Sequence, residues 1–127
     1  VLGRVVPTVI HGYDYPVPDG RGYMGGLWVL PGPWLAPGFR KKGYEDSLLQ
    51  LRCELMTQLI DRFNSVIQGI AGKPGLGHLH YLDLRGTLPK QTAGGDYKRW
   101  WNDELHPTER GFHKIAIRFD RLIRSLT

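Results

Sequence analysis

An apolar stripe from Glu45 to about Ile70 lies between two short strand-like segments, and that order constrains the fold more than any other feature of the chain. Leu48, Leu51, Leu55, Met56, Leu59, Phe63, Val66, Ile67 and Ile70 recur at steps of three and four, the spacing of one helix face. The stripe is read as core. Asp46 or Ser47 can cap the helix start, and Gly72 with Pro74 ends it. Upstream, Val5, Val6, Val9 and Ile10 predict a strand within 5–13 that is buried on both faces, with Pro7 moving its start to Thr8 or marking an edge. Downstream, HLHYLDL over 78–84 predicts a second strand closed by Gly86. A second amphipathic helix follows from Pro107 to Arg124, with Phe112, Ile115, Ala116, Phe119, Leu122 and Ile123 on one face and Pro107 in its first turn. The order strand, loop, helix, strand, loop, helix is that of βα units in a parallel sheet, so the class is α/β. Two strands are too few for a sheet with both faces covered.

Between the first strand and the stripe, residues 14–43 carry Pro16, Pro18, Pro31, Pro33, Pro37 and seven glycines, a density of breakers at which no helix or long strand is expected. Tyr15, Tyr23, Trp28, Trp34 and Phe39 are interleaved among them. Aromatic side chains at this frequency argue for an ordered, functional loop. No repeat and no interdomain linker interrupts 1–127, which reads as a single unit.

Composition excludes more than it assigns. The net charge of +5 comes from scattered basic residues, with Lys41-Lys42 the one lysine pair, so it is read as solubility, and no nucleic-acid partner is expected. Cys53 is the single cysteine, which rules out an intrachain disulfide and leaves the redox compartment and the localisation open. No apolar run reaches the roughly 20 residues of a membrane span.

The segment WWNDELHPT, Trp100 to Thr108, carries the chemistry. Asp103 and His106 stand three residues apart just before a helix, where a turn can present the carboxylate to the imidazole. Such an Asp fixes the tautomer through one ring nitrogen, and the other nitrogen takes a proton from a hydroxyl nucleophile. On spacing alone, a capping histidine with a solvated Asp is the favoured explanation of D-x-x-H.

Resemblance carries the segment further. D-x-x-H-P followed by T-x-x-G and an amphipathic helix resembles the last sequence block of the SGNH, or GDSL-like, serine hydrolases. VVPTVIHGYDYPVPDGRGY resembles the strand and loop after their third block, and HYLDLRGTL their final strand. The similarity spans nearly the whole chain. It implies a partial flavodoxin-like parallel sheet with flanking helices, an ester or acyl small-molecule substrate, an acyl-serine intermediate and no metal or organic cofactor. By the same resemblance Asp103 orients and His106 is the general base. His11, at the end of the first strand where α/β folds place ligand sites, is expected at the substrate rim with Tyr13 of the aromatic loop, or equally to anchor the loop by a hydrogen bond. The family's G-D-S serine, its Gly block and its G-x-N-D block have no counterpart. Ser47, in Glu45-Asp46-Ser47-Leu48, is a decoy better read as a helix cap, and Gly94-Gly95-Asp96-Tyr97 lacks the Asn. The expectation is therefore a C-terminal part of such an enzyme, inactive alone, with an inert α/β interaction module as the alternative. An unpaired strand edge leads to the further expectation of a homodimer. A zinc hydrolase built on His78 and His80, with His11, His106, His113, Asp83 and Asp103 available, is the weaker rival, since no H-E-x-x-H and no Cys cluster accompanies them.

Overall fold

The computed structural model of the chain describes residues 3, 5–23, 31–90 and 92–126. Trp28 of the aromatic loop lies outside them. Strand β1 is Thr8–His11, helix α1 Ala36–Lys41, helix α2 Leu49–Ala71, strand β2 Leu79–Leu82 and helix α3 Glu109–Ser125. Short 3₁₀ segments precede α2 at Asp46–Leu48 and fill the loop after β2 at Ala93–Arg99. β1 and β2 pair in parallel, with Thr8 opposite Leu79 and His11 opposite Leu82. The fold is thus mixed α/β with a two-stranded parallel sheet.

The strands alternate in what they touch, because successive side chains leave a strand on opposite faces. Gly12 lies against Asn64 of α2 so closely that a side chain there would overlap the Asn64 amide. The Tyr81 hydroxyl donates to Asn64 Oδ1 at 2.5 Å on the same face. His11, on the other face, meets Phe119 of α3 edge to face at 5.2 Å. One helix therefore covers each side of the sheet. A small core of Val17, Leu88, Tyr97 and Trp101 sits beyond the carboxyl ends of the strands, against Tyr13, Leu49, Trp100 and Ile115.

Four expectations change. The first strand does start at Thr8, as Pro7 suggested, but it ends at His11 short of Tyr13, and Val5 and Val6 are exposed, with no neighbouring strand over them among the described residues. A helix does form inside the breaker-rich loop: Pro37 sits in the first turn of α1, where its missing N–H costs nothing. Neither Asp46 nor Ser47 caps α2. Asp46 instead pairs with Arg40 and with the buried Arg52, which also donates to the Tyr44 and Pro18 carbonyls. At α3 the cap is Thr108, whose hydroxyl accepts from Gly111 N at 3.2 Å, and Pro107 stays outside the helix, bridged to Trp101.

The largest correction concerns the stripe. Arg52, Met56, Ile60 and Asn64 form the buried line of α2, while Leu59, Phe63, Val66 and Ile70 are exposed. On α3, Phe112, Ile117 and Ile123 are exposed as well. Surface–mass scaling gives about 6,900 Å² for a folded chain of this mass. This 14.5 kDa chain exposes 8407 Å². The excess is roughly 1,500 Å², and the uncovered apolar side chains of α2 and α3 contribute to it.

Candidate active site

The turn carrying Asp103 and His106 is closed by its own backbone. Asn102 N donates to the His106 carbonyl at 2.8 Å, and Thr108 N donates to the Trp100 carbonyl at 2.9 Å. Gly111 allows the first turn of α3 to lie against that Trp100 carbonyl, since any side chain there would overlap it. Inside this closed turn Asp103 is completely buried. Its Oδ1 accepts from Leu105 N and from His106 N, both at 2.8 Å. The imidazole Nδ1 of His106 lies 3.0 Å from Oδ1 and 3.1 Å from Oδ2.

A carboxylate at that distance places the ring proton on Nδ1 and leaves Nε2 as the basic nitrogen. The His106 side chain is 54% exposed, so the ring is held by a buried anchor while it stands open to solvent. Burial pushes the Asp103 carboxyl up, but the N–H groups of His106 and Leu105 and the imidazole together hold it below the ordinary carboxylate range. A lowered folded value stabilises the native chain above the unfolded Asp pKa of about 3.9, and this is lost as pH falls through the folded value. Asp14 acts with the opposite sign. It is buried and its carboxyl is raised, mainly by burial, so acidification relieves a cost there.

Asp103→Asn keeps the shape and removes the charge. The urea midpoint of the wild-type chain is expected to fall more steeply below about pH 4 than that of the variant. Equal acid slopes in the two proteins would contradict the assignment of this carboxylate as a stabilising anion. Asp46 and Asp83, also lowered by arginine partners, contribute to both proteins and cancel in the difference.

His11 and Tyr13 reach the same place from the end of β1. With His106, Leu105, Ile60, Phe63, Phe112 and Phe119 they line a slot of about 1080 Å³. Its two walls are α2 and α3, and β1 contributes to its floor. His11 spends Nδ1 on the Gly12 carbonyl at 2.7 Å and offers the slot its ring. The Tyr13 hydroxyl donates to the Leu105 carbonyl, and burial, followed by the charges of Asp103 and Asp14, pushes it up to about 12. Tyr13 therefore supports the Asp103–His106 turn through its hydroxyl and lines the slot with its ring.

Ser47 is exposed in the 3₁₀ segment before α2 and makes no contact with the dyad. Among the described residues no hydroxyl stands within hydrogen-bond distance of His106. Asp83 turns to Arg85 N at 3.0 Å and to the Arg85 guanidinium. No group of three or more His, Cys, Asp or Glu gathers to hold a metal among the described residues, which leaves the zinc reading without a site there. No helix of the described residues is long and apolar enough to cross a membrane.

Residues that sequence reasoning did not single out hold the site together. Glu104 is fully buried, and each of its oxygens accepts two backbone N–H groups. Gly20 and Ala36 donate to Oε1 at 2.9 Å, and Trp34 and Leu35 donate to Oε2 at 2.7 Å. Arg21 donates to the Trp101 and Asn102 carbonyls from the same loop. Asp14 accepts from Gly86 N and Leu88 N, tying the loop after β1 to the loop after β2. The only signal for Glu104 was a second acid beside Asp103 in a turn. Compared with known proteins, the chain matches no family model, no curated protein and no solved structure.

Proposed function

We propose that this chain supplies the Asp–His half of an SGNH-type acyl-hydrolase site, acting on an ester or related acyl bond. The observation that carries the reading is a fully buried carboxylate with both oxygens on Nδ1 of a half-exposed imidazole at an apolar slot. In this reading Nε2 accepts the proton of a hydroxyl as its oxygen attacks the acyl carbon. Asp103 stabilises the imidazolium that results. The imidazolium then returns the proton to the departing alkoxide, leaving an acyl-enzyme, and a water activated by the same nitrogen releases the acid. The hydroxyl comes from whatever element fills the slot and continues the sheet beyond β1, in a flavodoxin-like arrangement of which 1–127 is the C-terminal part. No cofactor is needed for this chemistry.

A specific observation also favours a second reading, an inert interaction module. The slot is walled by apolar residues and no hydroxyl meets His106 among the described residues. Under either reading the isolated chain covers the slot with a second copy of itself.

The test is turnover of a short-chain aryl ester by the purified chain, beside Ser47→Ala and His106→Ala. Little or no turnover is expected, since a general base acting on water contributes only about 10²–10⁴-fold. Robust turnover abolished by Ser47→Ala would overturn the half-site reading and make Ser47 the nucleophile. The two readings separate on acylation of His106 by a reactive aryl ester. A dyad gives a rate that falls in Asp103→Asn, whereas an inert module gives a rate indifferent to that change.

A further inference from the structure

We infer that Glu104 is a positioning residue that sets Trp34 as one wall of the His106 site, against which an apolar face of the substrate packs. The inference rests on the reading of His106 as the base, but the placement it asserts is testable without turnover.

Trp34 belongs to a loop far from the catalytic turn in sequence and has no secondary-structure ladder to hold it. Its ring nevertheless stands edge to face with the His106 imidazole, 5.2 Å between centroids and 74° between planes. What holds it there is the Glu104 carboxylate. Glu104 precedes His106 by two residues and accepts the N–H groups of Trp34, Leu35 and Ala36 in succession, with Gly20 as a fourth donor. Adjacent acids on one turn thus divide two tasks. Asp103 faces inward to the ring nitrogen and fixes the imidazole, while Glu104 fixes the segment that carries the ring beside it.

Hydrogen bonds to a charged acceptor are roughly twice as strong as neutral ones, and four of them converge on one group here. The Trp34 side chain remains partly exposed, so its free surface is available to a ligand. An indole beside a basic nitrogen offers an apolar wall to an acyl chain or to the ring face of an alcohol leaving group.

The experiment is nuclear magnetic resonance on the intact chain, read at the His106 ring protons. Trp34→Leu removes the indole ring current and defines the resonance positions without the wall. Glu104→Gln is expected to move the His106 protons most of the way to those positions, and to abolish cross-relaxation between the Trp34 and His106 rings, with far-ultraviolet dichroism retained. His106 protons that stay at their wild-type positions in a folded Glu104→Gln protein would overturn the inference. Should that variant fail to fold, amide exchange of the wild-type chain decides. The Gly20, Trp34, Leu35 and Ala36 amides are expected to be protected and to open together. Free-peptide exchange at Trp34 to Ala36 would refute the clamp. Ring contact with an unreactive His106 would uphold this placement while removing the catalytic reading, so the two fail separately.

Discussion

Replacing Glu104 with alanine is expected to destabilise the chain by about 3–5 kcal/mol, more than any other single side-chain truncation in the turn from Trp100 to Thr108. The carboxylate is completely buried and is the acceptor for Gly20, Trp34, Leu35 and Ala36 N–H groups at 2.7–2.9 Å. A buried donor left without its acceptor costs about 1–3 kcal/mol. Four orphans would exceed the expected total, but two effects reduce it. The variant no longer has a charge to desolvate, and the vacated space can admit water to some of the donors. Glu104→Gln is expected to recover little, because a single amide oxygen replaces two acceptors and the NH₂ group points donors at donors. Denaturant unfolding of the three proteins checks this. An alanine variant within about 0.5 kcal/mol of wild type, the range of ordinary surface changes, would show that the cradle does not support the fold.

The features legible in the sequence are those governed by local periodicity. The β–α–β order followed from an apolar stripe between a β-branched segment and the alternating segment HLHYLDL, and the parallel pairing of Thr8–His11 with Leu79–Leu82 follows from that order. The D-x-x-H turn was legible for a similar reason: a carboxylate and an imidazole three positions apart lie within one turn, so both ends and the geometry belong to one segment. α1 was missed because Pro37 and Gly38 were weighed as breakers in a helix interior. Pro37 stands in the first turn, and Gly38 costs about 1 kcal/mol relative to alanine, with the first turn anchored at Ala36 N by Glu104.

The rest was hidden because it is carried by side chain-to-backbone bonds across long separations. Glu104 to Trp34, Asp14 to Leu88 and Arg21 to Trp101 each join loops from opposite ends of the chain. A backbone N–H is present at every non-proline position, so no residue pattern marks which one a distant carboxylate will take. The stripe of α2 misled in another way. Its period reports that one face is apolar, but not whether this chain provides the cover. Met56 and Ile60 are buried by the sheet, while Phe63 and Val66, on the same stripe, are left open where the sheet stops at β1.

That open face leads to the second large effect: the isolated chain is expected to dimerise through the slot. An excess of roughly 1,500 Å² over the scaling for a compact chain compares with about 800 Å² per partner in a standard interface. The slot brings Phe63 from one wall and Phe112 and Phe119 from the other beside the free edge of β1, whose alternate N–H and C=O groups have no strand to pair with among the described residues. An apolar wall on each side of an unpaired edge favours a neighbour that brings both a strand and apolar side chains, and a second copy has them in the same arrangement. The net charge of +5 opposes association only weakly here, because no Lys or Arg lines the slot, where the acids are Asp14 and Asp120 and the imidazoles are those of His11 and His106. Sedimentation of the wild-type chain is expected to show a concentration-dependent dimer. Phe63→Lys and Phe112→Lys, at positions 50% and 53% exposed in the single chain, should leave its dichroism unchanged. Each is expected to weaken the dimer by about 2 kcal/mol, roughly thirtyfold in Kd. A wild-type chain that sediments as a monomer and binds no apolar dye would show that the slot is closed in solution by the chain itself. A dimer indifferent to both lysines would place the interface elsewhere. Either result would remove the slot as the face through which the isolated chain dimerises.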